Sequence, residues 1–285
     1  MQFKAKEPFM KVLIIDRDEM FSNLLASKIR AAGHEVILAS LKNDGIEQIG
    51  TNKVDVVYFD PSPMTDAKAI LLQIRRIVHT YPYLVMTGEN CDRAAGIKAG
   101  CHDGLAKPLD PQALVSTLEN AERMIETVLR LGDDSYDFPS AGGIISKSAF
   151  NQLFRSATDR VSRYGESSHV LFISIPNHED IKLDDGKYAA DYVVSHLGQT
   201  LGRLRRQSDI LGQTGENQYA LLLQRPQSET EAVDAAKRFS VALDEQKDLL
   251  QNGVSEVTLD VCLIHLPTGA MDYRRTSRIK AQAVA

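Results

Sequence analysis

The sequence predicts an α/β protein in two modules, a doubly wound parallel sheet in front and an α+β domain with an antiparallel-containing sheet behind. Three observations predict it. Over roughly the first 120 residues, short apolar runs alternate with stretches of helical spacing. A polar, Gly-rich stretch follows, at Gly132-Asp133-Asp134-Ser135 and Pro139 to Gly143. Beyond it the order becomes strand, helix, two strands about a turn, helix, strand, which calls for antiparallel pairing with helices on one face.

In the front module, Lys11 to Ile15 is the first strand, and Phe21, Leu24, Leu25, Lys28, Ile29 and Ala32 keep the spacing of a helix that Gly33 ends. Glu35 to Ala39 is a second strand. Val54 to Phe59 is a third, apolar on both faces as a central parallel strand should be. A helix over Ala67 to Val78, a strand over Tyr83 to Met86, a helix over Cys91 to Ala99 and a short strand at Leu105 and Ala106 complete the repeat. One long helix runs from Leu109 to about Leu131. Its stripe of Leu114, Leu118, Met124, Ile125, Val128 and Leu131 suits either a cover helix or a connector that pairs with its copy in a homodimer.

In the rear module, Lys147 to Arg163, Tyr188 to Arg205 and Thr230 to Leu243 read as helices. Val170 to Ile175, Asp209 to Gln213, Tyr219 to Gln224 and Val257 to Leu266 read as strands, with a turn at Thr214-Gly215-Glu216-Asn217. The expected division is a leader over 1–9, a front domain over 10–122, a connector over 123–142, a rear domain over 143–270 and a basic tail over 271–285 that carries Arg274, Arg275, Arg278 and Lys280.

Composition narrows the function. The 285 residues are 43% hydrophobic and 25% charged with a net charge of -5, a globular mix that argues against a general nucleic-acid binder. Apolar runs are too short to span a bilayer, and Cys91, Cys101 and Cys262 form no metal-binding or disulfide pattern, so a reduced cytoplasmic setting is expected. The seven histidines are scattered.

Ligands of a parallel α/β sheet sit beyond the carboxyl ends of its strands. Asp16, Asp60, Thr87 and Lys107 all fall there. Carboxylates, a hydroxyl and an ammonium grouped this way suit phosphoryl transfer to Asp60, with Mg2+ offsetting charge. Here the chain resembles the receiver domain of two-component response regulators, a flavodoxin-like fold, over roughly residues 11 to 122. The resemblance implies Asp60 as phosphoacceptor, Asp16 and Asp60 as metal ligands, a cis peptide at Lys107-Pro108 and a histidine kinase as partner. Two departures stand out. Arg17 follows Asp16 where a second acid is usual, and its guanidinium beside Asp60 would imitate a metal's charge. Gly104 stands where a switching aromatic is usual. Phosphorylation of Asp60 and a pseudo-receiver used for docking to an unidentified protein both stay open.

Around Gly215-Glu216-Asn217-Gln218-Tyr219, roughly residues 143 to 270 resemble the GGDEF domain of diguanylate cyclases. The resemblance implies metal-ligating carboxylates where this chain has Ser174 and Asn217, a guanine-reading asparagine where it has Lys182, and an acid where it has Gln218; Asp191 survives. Loss of both metal ligands points to a domain that is not an enzyme. Arg206 and Asp209 form an Arg-x-x-Asp that resembles the family's product-binding site, and Arg238 falls near a further guanine-facing position. Arginine donates to guanine O6 and N7, and a carboxylate accepts from the N–H edge. The expected function is therefore sensing of cyclic di-GMP through Arg206, Asp209 and Arg238. The alternatives are a receiver-controlled cyclase that makes cyclic di-GMP from GTP, and a scaffold that binds no nucleotide.

Overall fold

The computed structural model describes residues 10–280 apart from 41, 64–66, 68, 69, 72, 73, 75–81, 134, 139–141, 227, 229, 252 and 255. The expected leader lies outside these residues, as does most of the helix expected over Ala67 to Val78. The described members of that stretch, Ala67, Ile70, Leu71 and Ile74, are buried.

The front module is a parallel sheet in the order β2-β1-β3-β4-β5, formed by Lys11–Ile15, Glu35–Ala39, Val56–Phe59, Tyr83–Gly88 and Asp103–Ala106. Its central strand β3 is buried at every position because helices cover both faces. Helices α1 (Glu19–Ala31), α2 (Lys42–Thr51), α3 (Arg93–Ala99) and α4 (Pro111–Gly132) flank it. Asp18, Asp92 and Asp110 cap α1, α3 and α4 by accepting backbone N–H bonds at their first turns. Leu24, counted above toward the buried face of α1, is exposed. Helix α2 was not predicted, because its sequence KNDGIEQIGT carries too few apolar residues to show a helical stripe.

The rear sheet has the order β10-β9-β6-β8-β7, all antiparallel, with β6 Ser168–Ser174, β7 Ile210–Gly215, β8 Gln218–Gln224, β9 Glu256–Leu266 and β10 Met271–Lys280. Helices α5 (Lys147–Tyr164), α6 (His178–Asp184), α7 (Lys187–Leu204) and α8 (Glu231–Asp244) pack on it. The expected basic tail is corrected. Residues 271–280 form the edge strand β10, and its cations pair across the sheet and along its edge. Arg274 holds Asp260 through two nitrogens at 3.2 Å, Arg275 holds Asp244 at 2.5 Å, and Arg278 and Lys280 approach Glu256. Lysines and arginines on an edge strand also discourage pairing with other chains.

One continuous apolar cluster joins the modules. It runs from Val12, Ile14, Tyr58 and Val85 through Leu114, Leu118, Met124 and Leu131 of α4 to Phe150 and Phe154 of α5 and Phe172, Leu222 and Ile264 of the rear sheet. Ile125 and Val128 pack against the same cluster. The stripe of α4 is thus consumed within the chain, where each large side chain contributes about 1.5–3 kcal/mol. At this seam the β9–β10 turn sits on the front module: the Tyr83 hydroxyl donates to Thr268 O at 2.7 Å and Arg123 Nη1 donates to Gly269 O at 2.7 Å.

Candidate functional sites

The carboxyl edge of the front sheet gathers the four expected residues. Lys107 Nζ lies 2.8 Å from Asp16 Oδ2 and 2.6 Å from Asp60 Oδ2, so one ammonium bridges two carboxylates. Burial pushes the Asp60 carboxyl up, but hydrogen bonds from Lys107 and Ser62 outweigh it and hold it below its ordinary value. Burial likewise pulls Lys107 down, and its two acidic partners more than restore it, so its pKa ends raised. Thr87 is 1% exposed and its hydroxyl has no hydrogen-bond partner among the described residues. The Lys107-Pro108 peptide is cis.

The two departures have structural answers. Arg17 is exposed and makes no ion pair among the described residues, so Lys107, and not Arg17, supplies the positive charge beside Asp60. Asp18 is spent on capping α1, its Oδ1 accepting from Phe21 N at 3.0 Å. A Cβ at Gly104 would lie 2.0 Å from Asp92 O and 3.1 Å from Cys91 Sγ. The turn into α3 fills the space above β5, and no side chain fits at 104 in this arrangement.

In the rear module, β6 ends at the buried Ser174, and Asn217 lies in the β7–β8 turn. Asn217 Nδ2 donates to Ile175 O at 2.7 Å, which turns an amide donor toward the end of β6. Gln218 Oε1 accepts from Thr214 Oγ1 at 3.3 Å. Lys182 lies 3.4 Å from Glu179 and 4.0 Å from Glu216, so its ammonium already answers both acids. Ser174 and Asn217 offer no anionic oxygen, and a divalent cation has no carboxylate from either position.

On the opposite side of the rear module, Arg206, Asp209 and Arg238 line one cleft of about 340 Å³, which also includes Glu231. Asp209 is 8% exposed, and its Oδ2 accepts from the backbone N of Arg206 at 3.0 Å. The Arg206 guanidinium is ion-paired with Glu231 at the start of α8. That pair raises the Arg206 pKa further.

Comparison with known proteins agrees with both halves. Residues 12–119 match the family model for the response regulator receiver domain. Residues 139–279 match that for the diguanylate cyclase GGDEF domain. The chain is a receiver domain followed by a GGDEF domain. Its receiver half is similar to the alkaline phosphatase synthesis transcriptional regulatory protein PhoP of Bacillus subtilis, 29% identical over 105 residues that cover 36% of this chain and 44% of that protein. The chain therefore spans less than half the length of that relative. Among solved structures, a response regulator receiver domain protein from Clostridium thermocellum is 25% identical, with a TM-score of 0.37, over 42% of this chain and 99% of that one. A GGDEF domain from Pseudomonas aeruginosa is 21% identical, with a TM-score of 0.38, over 42% of this chain and 70% of that one. The arrangement is that of a signal-transduction regulator carrying a domain related to cyclic di-GMP. Among the described residues, no helix is long and apolar enough to cross a membrane.

Two residues around the GGDEF cleft escaped the sequence reading. Glu231 was invisible because it lies 25 residues from Arg206 and only the fold brings them together. Arg205 donates to Asp209 O at 2.8 Å and so shapes the turn that presents Asp209.

Proposed function

We propose that this protein senses cyclic di-GMP through Arg206, Asp209 and Arg238 of a GGDEF domain that does not cyclise GTP. The observation that carries the reading is that these three residues, from a helix-to-strand junction and from α8, line one cleft, while neither Ser174 nor Asn217 supplies a carboxylate at the positions where the family holds its metal. Arg206 would read guanine O6 and N7, Asp209 would accept from its N–H edge through the oxygen not committed to Arg206 N, and Arg238 would add positive charge for the phosphates. Glu231 must release Arg206 for this to happen. Because Arg206 is more than half exposed, solvent already screens that pair and the release is cheap.

In the receiver domain, Asp60 is the proposed phosphoacceptor. Its carboxyl stays ionised at neutral pH, Lys107 would pair with the incoming phosphoryl group, and the unpartnered Thr87 hydroxyl would donate to a phosphoryl oxygen. Asp16 and Asp60 already share one cation and would hold Mg2+, which supplies charge neutralisation for the transfer. A histidine kinase as phosphodonor and a cytoplasmic location follow from the same reading. A homodimer through α4 gains no support from a stripe that is buried within the chain.

Calorimetric titration with cyclic di-GMP tests the assignment. Saturable binding by the natural chain, weakened at least tenfold in Arg206→Ala, is expected. Heat that survives the substitution would remove the site, and absence of any heat would favour a scaffold. Incubation with GTP and Mg2+ is expected to yield no cyclic di-GMP, and product would restore the cyclase reading.

A further inference from the structure

The first turn of α6 and the β7–β8 turn bring together a histidine and two acids that neither the receiver site nor the Arg206 cleft uses. His178, Glu179 and Glu216 each place one ligand atom within 4.8 Å of the other two. Hydrogen bonds hold the two segments in register. Ile175 N donates to Asn217 O at 3.0 Å, Asn217 Nδ2 donates back to Ile175 O at 2.7 Å, and His178 N donates to the same carbonyl at 3.1 Å. The turn that carries Glu216 is thereby pinned beside the start of α6. The geometry points to a binding site for a first-row transition metal ion such as Zn2+, with His178, Glu179 and Glu216 as ligands and Lys182 as the internal cation that the metal displaces.

His178 singles this cluster out from ordinary surface acids. Its side chain is 4% exposed, and it makes no side-chain hydrogen bond among the described residues: Nε2 is buried without a partner, and Nδ1 faces Glu179 Oε1 at 3.5 Å. A buried imidazole without hydrogen bonds is costly, and a metal on Nδ1 gives the ring a partner. Zinc bonds to histidine nitrogen and carboxylate oxygen are about 2.1 Å long, so two ligands of a tetrahedral ion stand about 3.4 Å apart. His178 and Glu179 already have that separation. Glu216 is more than half exposed and has to close by roughly 1.4 Å at most. One nitrogen with two carboxylates suits Zn2+ better than Mg2+ or Ca2+, which take oxygen ligands. Three protein ligands leave a fourth position for water. The site is distinct from the family's metal positions, because Ser174 and Asn217 are not among its ligands. Lys182 now stands in for the cation, 3.4 Å from Glu179 and 4.0 Å from Glu216. Both are long surface contacts that solvent screens, and the flexible lysine can swing away.

The test titrates the full chain with Zn2+ by calorimetry, in excess Mg2+ so that the receiver carboxylates are not left open to the probe. One equivalent of Zn2+ is expected to bind. Binding should weaken at least tenfold in His178→Gln and in Glu216→Gln, and tighten severalfold in Lys182→Met, which removes the competing ammonium. If His178→Gln fails to fold, Glu179→Gln and Glu216→Gln decide, since both acids are exposed. Ser174→Ala should leave the affinity unchanged, which separates this site from the family's metal position, and so should Arg206→Ala, which separates it from the cyclic di-GMP cleft. Co2+ in place of Zn2+ should give the visible absorption of tetrahedral nitrogen and oxygen ligation, with no near-ultraviolet thiolate band. Four results would overturn the proposal: no saturable binding in excess Mg2+, binding that survives Glu179→Gln and Glu216→Gln together, binding lost in Ser174→Ala, or a thiolate band that assigns the metal to Cys91, Cys101 or Cys262. Failure of Lys182→Met to tighten binding would refute the displacement.

Discussion

Replacing Gly269 by Ala should uncouple the two domains. Gly269 lies in the β9–β10 turn with φ of +75°, and a Cβ there would fall 2.4 Å from Asn120 O and 2.9 Å from Met124 Cβ. The left-handed backbone costs a non-glycine residue roughly 1–2 kcal/mol. Overpacking against α4 adds about 1–3 kcal/mol. Asn120 O is backbone inside a helix and cannot rotate aside, so the costs combine to about 2–5 kcal/mol, directed at the seam. The natural chain should unfold in one transition because a single apolar cluster spans both domains. The variant should unfold in two, and amide exchange should accelerate around 120–124 and 268–270 while β6 and β9 stay protected. Scanning calorimetry and hydrogen exchange measure both. A variant that melts within about 1 °C of the natural chain, well inside the several degrees such a cost implies, and exchanges identically would refute the claim that this turn joins the domains.

Other expectations follow from single contacts. Glu231→Gln frees Arg206 from an exposed surface pair, so cyclic di-GMP should bind up to about fivefold tighter; weaker binding would make Glu231 part of the ligand's own contacts. Lys107→Ala leaves Asp16 and Asp60 facing each other unneutralised, which should cost about 3 kcal/mol in urea unfolding at neutral pH; an unchanged midpoint would contradict the ion-bridge account. Burial, with His169 close by, holds His265 down at about 4. The unfolded chain binds this proton near pH 6.5 and the folded one near 4, so stability should fall as pH drops through that window, by up to about 3 kcal/mol, and then level off for this group. His265→Gln should flatten that slope in chemical denaturation, and a slope equal to the natural chain's would assign it elsewhere.

The sequence announced elements whose residues solve a local problem. The apolar runs of β1, β3 and β6 were legible because a buried strand admits little else, and the polar corner was legible because Asp16, Asp60 and Lys107 each follow a strand directly and Thr87 stands next to the end of one. What escaped depended on partners distant in the chain. The cations of β10 look like a solvated tail until Asp260, Asp244 and Glu256 come alongside. Arg17 drew attention as the residue next to Asp16, yet the β1–α1 turn sends it to solvent and Asp18 to the helix cap. Gly104 could be read as the loss of an aromatic, but only the fold shows that Asp92 O already occupies the place a side chain would need.

The placement of the domains limits how a signal from Asp60 can travel. Asp60 and Lys107 lie at the carboxyl ends of their strands, whereas Tyr83, which touches the GGDEF domain, begins β4 at the opposite edge. At about 3.3 Å per residue, the strand separates the two edges by roughly 15 Å. With no side chain at 104, a rotating aromatic cannot cover that distance. The remaining continuous element is β5 itself: Lys107 follows its end, and its first residue, Asp103, is buried, paired with Arg93 and felt electrostatically by Tyr83. If phosphorylation draws Lys107 toward the phosphoryl group, β5 is the rod it pulls on, and Tyr83 with Thr268 is where the rear domain would feel it. Tyr83→Phe removes that hydrogen bond and leaves the ring in place. It should therefore leave acetyl phosphate labelling of Asp60 intact while abolishing any effect of that labelling on amide exchange at 268–270. Exchange at 268–270 that still responds to labelling in Tyr83→Phe would exclude this route.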